Sequence, residues 1–223
     1  MSFLHQIAAI IRKDVIAELR TKEMFSSMFV FALLAVVIFN FAFELRIADA
    51  ATIAPGVLWV SVTFAGMLGL NRSFVLEKDR GCLDGLLLAP VDRSAIYFGK
   101  MLGNFMFITL VEAIILPIFS ALFNVNLIQA WILIVLLLGT LGFSGVGTLF
   151  SAMAVHTRAR EVLLPVLLFP VVMPALIAAV KLTAGLLDGQ ALAEMANWMQ
   201  LLVAFDVILI AVSYMTFDYV VED

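Results

Sequence analysis

The chain has 223 residues, 64% of them hydrophobic and 13% charged. Soluble domains carry about a quarter charged residues, so this share, with a mean hydropathy of +1.14, excludes an ordinary water-soluble fold. A net charge of −4 and a pI near 5.1 argue against nucleic-acid binding, and the single cysteine, Cys82, excludes an internal disulfide.

Residues 1–23 are too polar to span a membrane. Leu4, Ile7, Ile11, Val15 and Leu19 recur at three- and four-residue steps, with Arg12, Lys13, Glu18 and Arg20 elsewhere on the wheel. This spacing predicts an amphipathic helix lying on the membrane interface, either as an anchor or as a docking surface for a partner. The beginning does not read as a signal peptide. Phe3 and Ile7 precede the basic pair Arg12-Lys13, and no short apolar core leads to a small-residue cleavage site.

Long uncharged runs follow. Met24–Phe43 is one of 20 residues and Ala50–Asn71 one of 22; a helix needs about 20 apolar residues to cross the hydrocarbon core. They predict spans over about 24–43 and 53–74.

Residues 77–100 form the longest charged segment between two spans. Gly81 can release the chain from the preceding helix, and Leu83, Leu86 and Leu87 share one face of a short helix. Pro90 cannot continue that helix, and Asp92 is a good N-cap for the next. The leucines suit either a soluble partner or the headgroup region.

From Met101 to Thr157 only Glu112 among Asp, Glu, Lys and Arg is present, and the polar patch Asn124–Gln129 divides the run into spans 101–123 and 131–153. Thr140, Ser144, Thr148 and Ala152 make a small-residue stripe, and Gly99 and Gly103 form a GxxxG pair; close helix packing explains both. A fifth span, 162–180, carries Pro165, Pro170 and Pro174 and is expected to bend. Residues 182–197, with Leu186, Leu187, Leu192 and Met195, are too apolar for a solvated loop and read as short interfacial or re-entrant helices, an external gate or lid. The sixth span, 198–217, contains Asp206.

The fold class is therefore all-α integral membrane, a single membrane domain over 1–223. Glu112 and Asp206 lie at membrane depth, where a central acid costs about 2.5–3.5 kcal/mol, so each faces protein or water. They are candidate members of a substrate path or a motion-linked contact, or else structural hydrogen-bonding groups. Trp59, Trp131 and Trp198 read as isolated interface tryptophans.

With a cytoplasmic N-terminus, 11 of the 13 basic residues fall on the cytoplasmic side, leaving Arg46 and Lys181 outside. The positive-inside bias thus predicts both termini in the cytoplasm.

Catalytic chemistry is sparse. Gly142-Phe-Ser-Gly145 matches the GxSG nucleophile motif of rhomboid proteases, but a serine needs a base in hydrogen-bond reach. The only histidines are His5 and His156, and His156 lies about 18 Å along the helix from Ser144. An intramembrane serine protease is the remote alternative. No HExxH, paired CxxC or GxxxxGK[ST] motif occurs, so ATP has no phosphate loop here. Both histidines fall on the cytoplasmic side, leaving no histidine as an axial haem ligand on the outer face.

The amphipathic start, six spans and the E-x-x-x-G-x-L-D-x-L-L-x-x-P pattern between spans two and three resemble the ABC-2 type transporter membrane subunits. The resemblance implies that 77–100 is a coupling loop whose helix sits in a groove of an ATPase subunit. Glu77, Gly81, Leu83, Asp84, Leu86, Leu87 and Pro90 match the pattern, with Cys82 where a threonine is common. Residues 53–60, 86–97 and the proline-spaced 163–178 are further similar to the CcmB family, the haem exporter B subunits of cytochrome c maturation. That similarity implies a bacterial inner-membrane permease subunit, not itself an enzyme, forming a homodimer in the lipid bilayer. It implies the partners CcmA (the ATPase), CcmC and CcmD, and indirectly the haem chaperone CcmE. It also implies that no cofactor is bound directly: ATP-Mg sits in the ATPase and haem is handled by a partner. Either haem export or release of haem-loaded CcmE would be driven. An ABC-2 permease for a drug, lipid or polysaccharide shares the same biophysical features.

Overall fold

The computed structural model describes residues 2–44, 52–79, 85, 91–155, 157 and 159–222. Their principal helices are α1 (Phe3–Thr21), α2 (Glu23–Glu44), α3 (Ala54–Asp79), α4 (Arg93–Phe123), α5 (Ala130–Ala154), α6 (Arg160–Leu187) and α7 (Ala196–Glu222), with a 3-10 turn at Leu192–Met195 before α7. No strand occurs among the described residues. Six stretches are long and apolar enough to cross a membrane. The protein is a multi-pass, all-α membrane protein.

Position in the bundle follows from side-chain size. The most apolar windows of α3 and α5 are each 72% buried, against 22% for α2, which makes α3 and α5 the inner helices. α5 touches α3, α4, α6 and α7. Its small residues allow this: Thr140, Ser144, Thr148 and Ala152 are all buried, as the stripe predicts. Leu70 of α3 packs against Gly147, and Ser151 Oγ donates to the Leu70 carbonyl at 2.6 Å. α6 is one helix through Pro165, Pro170 and Pro174.

Several expectations need correcting. Residues 182–187 are not a separate interfacial element; they complete α6. Leu182, Thr183 and Leu186 are buried, so the apolar character of this segment serves packing. A short turn with Gly189 at φ 77° and the 3-10 turn then lead straight into α7. Trp59 is no interface residue either. It is 2% exposed, and its Nε1–H donates to Thr183 Oγ1 at 3.1 Å. Trp131 and Trp198 are exposed, as interface tryptophans would be.

The amphipathic α1 forms, but its stripe is divided. Ile7 and Ile10 are buried against the bundle, whereas Leu4 is 76% and Leu19 68% exposed. The apolar arc is wider than one contact surface: one edge faces α4 and the other is left open. The Gly99–Gly103 pair on α4 receives α1, because a Cβ on Gly99 would lie 2.9 Å from Ile10 Cβ.

Candidate functional site

Most of the residues assigned to an ATPase interface lie outside the described residues: Gly81, Leu83, Asp84, Leu86, Leu87 and Pro90. Glu77 falls in the last turns of α3. What the structure does define is where that segment begins and ends. On one side α3 runs to Asp79. On the other, Asp92 caps α4 by accepting the Ser94 N–H at 2.9 Å, as expected from its position before the helix.

These two roots meet at a residue the sequence offers only as one of the basic residues. Lys100, in the second turn of α4, is 1% exposed. Its Nζ lies 3.0 Å from Asp14 Oδ2 of α1 and 3.3 Å from the Ser73 carbonyl oxygen of α3. The Phe74 ring centroid is 5.4 Å away, within cation–π range. Around this point Gln6 Oε1 accepts the Asp92 N–H at 3.3 Å, and Phe3 meets Phe98 edge-on at 6.3 Å. Glu18, the buried acid of α1, accepts the Phe25 N–H at 2.7 Å and so holds the start of α2. The signal was present in the spacing. Ile7, Ile10, Asp14 and Glu18 follow at three- and four-residue steps, and acids within an apolar face demand partners.

Deeper in the bundle, Glu112 is buried on α4 and accepts a hydrogen bond from Thr140 Oγ1 of α5 at 2.5 Å. It also lines a cleft of about 330 Å³ between these helices, with Thr109, Pro117, Ile128, Leu133 and Leu136. The Thr109 hydroxyl there is buried without a hydrogen-bond partner among the described residues. Glu112 thus has the interhelical hydrogen bond of a structural residue and the cavity position of a ligand-facing one.

Asp206 differs. It is buried on α7 against Gly142 of α5, and neither carboxylate oxygen has a hydrogen-bond partner among the described residues. An interhelical hydrogen bond is thus present at Glu112 and absent at Asp206 among the described residues. Asp206 is not among the residues that line the Glu112 cleft. Another intramembrane polar contact, Asn104 Nδ2 donating to Thr148 Oγ1 at 3.0 Å, links α4 and α5.

Ser144 of the GxSG match is fully buried, and its Oγ donates to the Leu141 carbonyl at 2.9 Å. That is a helix-internal bond with no base in reach among the described residues, which suits packing and not nucleophilic attack. A second cleft of about 380 Å³ lies between α3 and α6, walled by Trp59, Phe64, Phe169 and Met173, with Lys181 at its edge.

Sequence comparison agrees with this architecture. The sequence model of the CcmB protein family matches residues 5–222. The chain is 30% identical over 185 residues to heme exporter protein B of Rhodobacter capsulatus, covering 82% of this chain and 85% of that one. It is 34% identical over 126 residues to heme exporter protein B of Paracoccus denitrificans, covering 56% and 58% of the two chains. It is also 26% identical over 184 residues to heme exporter protein B of Bradyrhizobium diazoefficiens, covering 82% and 83%. The match over nearly the whole length, on a bundle of six span-length helices, establishes that the chain belongs to the CcmB protein family.

Proposed function

We propose that this protein is the membrane subunit of an ATP-driven transporter acting in c-type cytochrome maturation. The observation that carries this reading is family membership over residues 5–222, together with relatives named heme exporter protein B. The chain lacks a nucleotide phosphate loop, so ATP-Mg binding and hydrolysis fall to a separate ATPase subunit of the CcmA kind. That subunit receives the leucines of 83–90. Two copies of the chain supply twelve spans in the bacterial inner membrane, with both termini in the cytoplasm. CcmC and CcmD complete the assembly, and haem is handled by a partner. The work done is haem export or release of haem-loaded CcmE.

The test is a paired substitution, Leu83→Glu with Leu87→Glu. An acidic pair on the leucine face should abolish co-purification of the ATPase while the amount of chain in the membrane is unchanged. Normal co-purification would sink the interface. Loss of holo-cytochrome c in a strain lacking this chain, restored by the wild-type gene, checks the pathway separately.

A further inference from the structure

A buried ammonium is tolerated only where it is paired, and the partners of Lys100 come from two other helices. Ser73 precedes the 80–90 segment and Lys100 follows it, so the contact from Lys100 Nζ to the Ser73 carbonyl closes that segment at its base. Asp14 adds α1 to the same point. Ile10 seated on Gly99, Gln6 holding the Asp92 N–H and Phe3 against Phe98 extend the contact along α1. Glu18 passes it to the first turn of α2. α1, α3 and α4, the last two flanking residues 80–90 in the chain, are thus joined at the Lys100–Asp14 ion pair.

We infer that Lys100 and Asp14 are a positioning pair that makes α1 and both roots of the 80–90 segment a single lever. The pair transmits the movement of the ATPase without itself forming the docking surface. The inference rests on the ATP-driven reading above. It assigns α1 a place in transmission, beyond anchoring to lipid.

The experiment uses the chain purified with its ATPase in lipid nanodiscs, reading co-purification and the kcat and KM of ATP hydrolysis that depends on the chain. If the wild-type chain neither retains nor stimulates an ATPase, the ATP-driven reading fails and the lever falls with it. If it does, Lys100→Met and Asp14→Asn should keep the ATPase bound in wild-type amount with unchanged KM. The chain-dependent kcat should fall about tenfold, the equivalent of about 1.4 kcal/mol. Lys100→Arg should restore most of the rate. Asp14, partly exposed, carries the test if Lys100→Met does not accumulate.

A covalent staple gives a readout that a general packing defect would not. The Cβ position at Gly99 is 2.9 Å from Ile10 Cβ, closer than the separation of about 3.5–4.5 Å that a disulfide spans, so the staple forms with a small outward shift of α1. Ile10→Cys with Gly99→Cys, in a Lys100→Met and Cys82→Ser background, should recover kcat when oxidised and lose it again on reduction. Wild-type kcat in Lys100→Met, loss of co-purification in that variant, or a formed staple that restores nothing would each overturn the proposal.

Discussion

The indole ring of Trp59 on α3 occupies the space where a side chain on Gly139 of α5 would begin. Its N–H reaches across to Thr183 on α6 at 3.1 Å, so a single tryptophan ties three helices. Gly139→Ala should destabilise the bundle by about 1–3 kcal/mol through overpacking. Trp59→Phe should remove the hydrogen bond, worth about 0.5–1.5 kcal/mol, and also leave a cavity beside Gly139, so it should cost more than the bond alone. Apparent melting temperatures in detergent check both, and a Gly139→Ala protein as stable as wild type would mean the ring is not seated there.

Gly99 governs α1 in a similar way. A leucine at this position cannot coexist with Ile10 where it now lies. Gly99→Leu should leave the spans inserted but lift α1 away, freeing its backbone at the already exposed Lys13 and Arg20 for trypsin. Cleavage within α1 should be faster than in the wild-type protein; equal cleavage would show that the glycine seat is dispensable.

Glu112 and Thr140 separate structure from function on one hydrogen bond. Glu112→Gln keeps an acceptor for Thr140 and removes the ionisable carboxyl, so abundance in the membrane should hold while holo-cytochrome c yield falls. Thr140→Val removes the donor and keeps the acid, so it should lower the melting temperature more than Glu112→Gln does. Wild-type cytochrome yield in Glu112→Gln would make the acid structural.

Asp206 and Gly142 should be energetically coupled, because the carboxylate fills the space beside the glycine. Gly142→Ala alone is expected to lower the melting temperature. In an Asp206→Ala background the same change should cost little, since the clash is gone. Contacting residues commonly show interaction energies of about 0.5–3 kcal/mol, and simple additivity would refute the coupling.

The six spans were legible because hydrophobic length is a direct consequence of bilayer thickness. The small stripe at Thr140, Ser144 and Thr148 was equally legible as packing, since small residues admit close helices. Trp59 was misread because an interface tryptophan and a core tryptophan have the same local sequence, and only Thr183, 124 residues away, distinguishes them. The open flank at Leu4 and Leu19 was hidden for a related reason. Periodicity reports that an apolar arc exists, but not how it is divided between protein and surroundings. Lys100 looked like one more positive-inside residue until tertiary structure supplied Asp14.

The socket for α1 is built from residues that come late in the chain. Asp14 and Lys100 are 86 positions apart. At synthesis rates of about 5–20 residues per second, Asp14 is made about 4 to 17 seconds before its ion-pair partner. During that interval the exposed leucines of α1 and its basic residues Arg12, Lys13 and Arg20 give the helix a second resting place, the lipid surface. The divided apolar arc thus provides a waiting position during biogenesis, and the final seat of α1 records that α4 has been inserted.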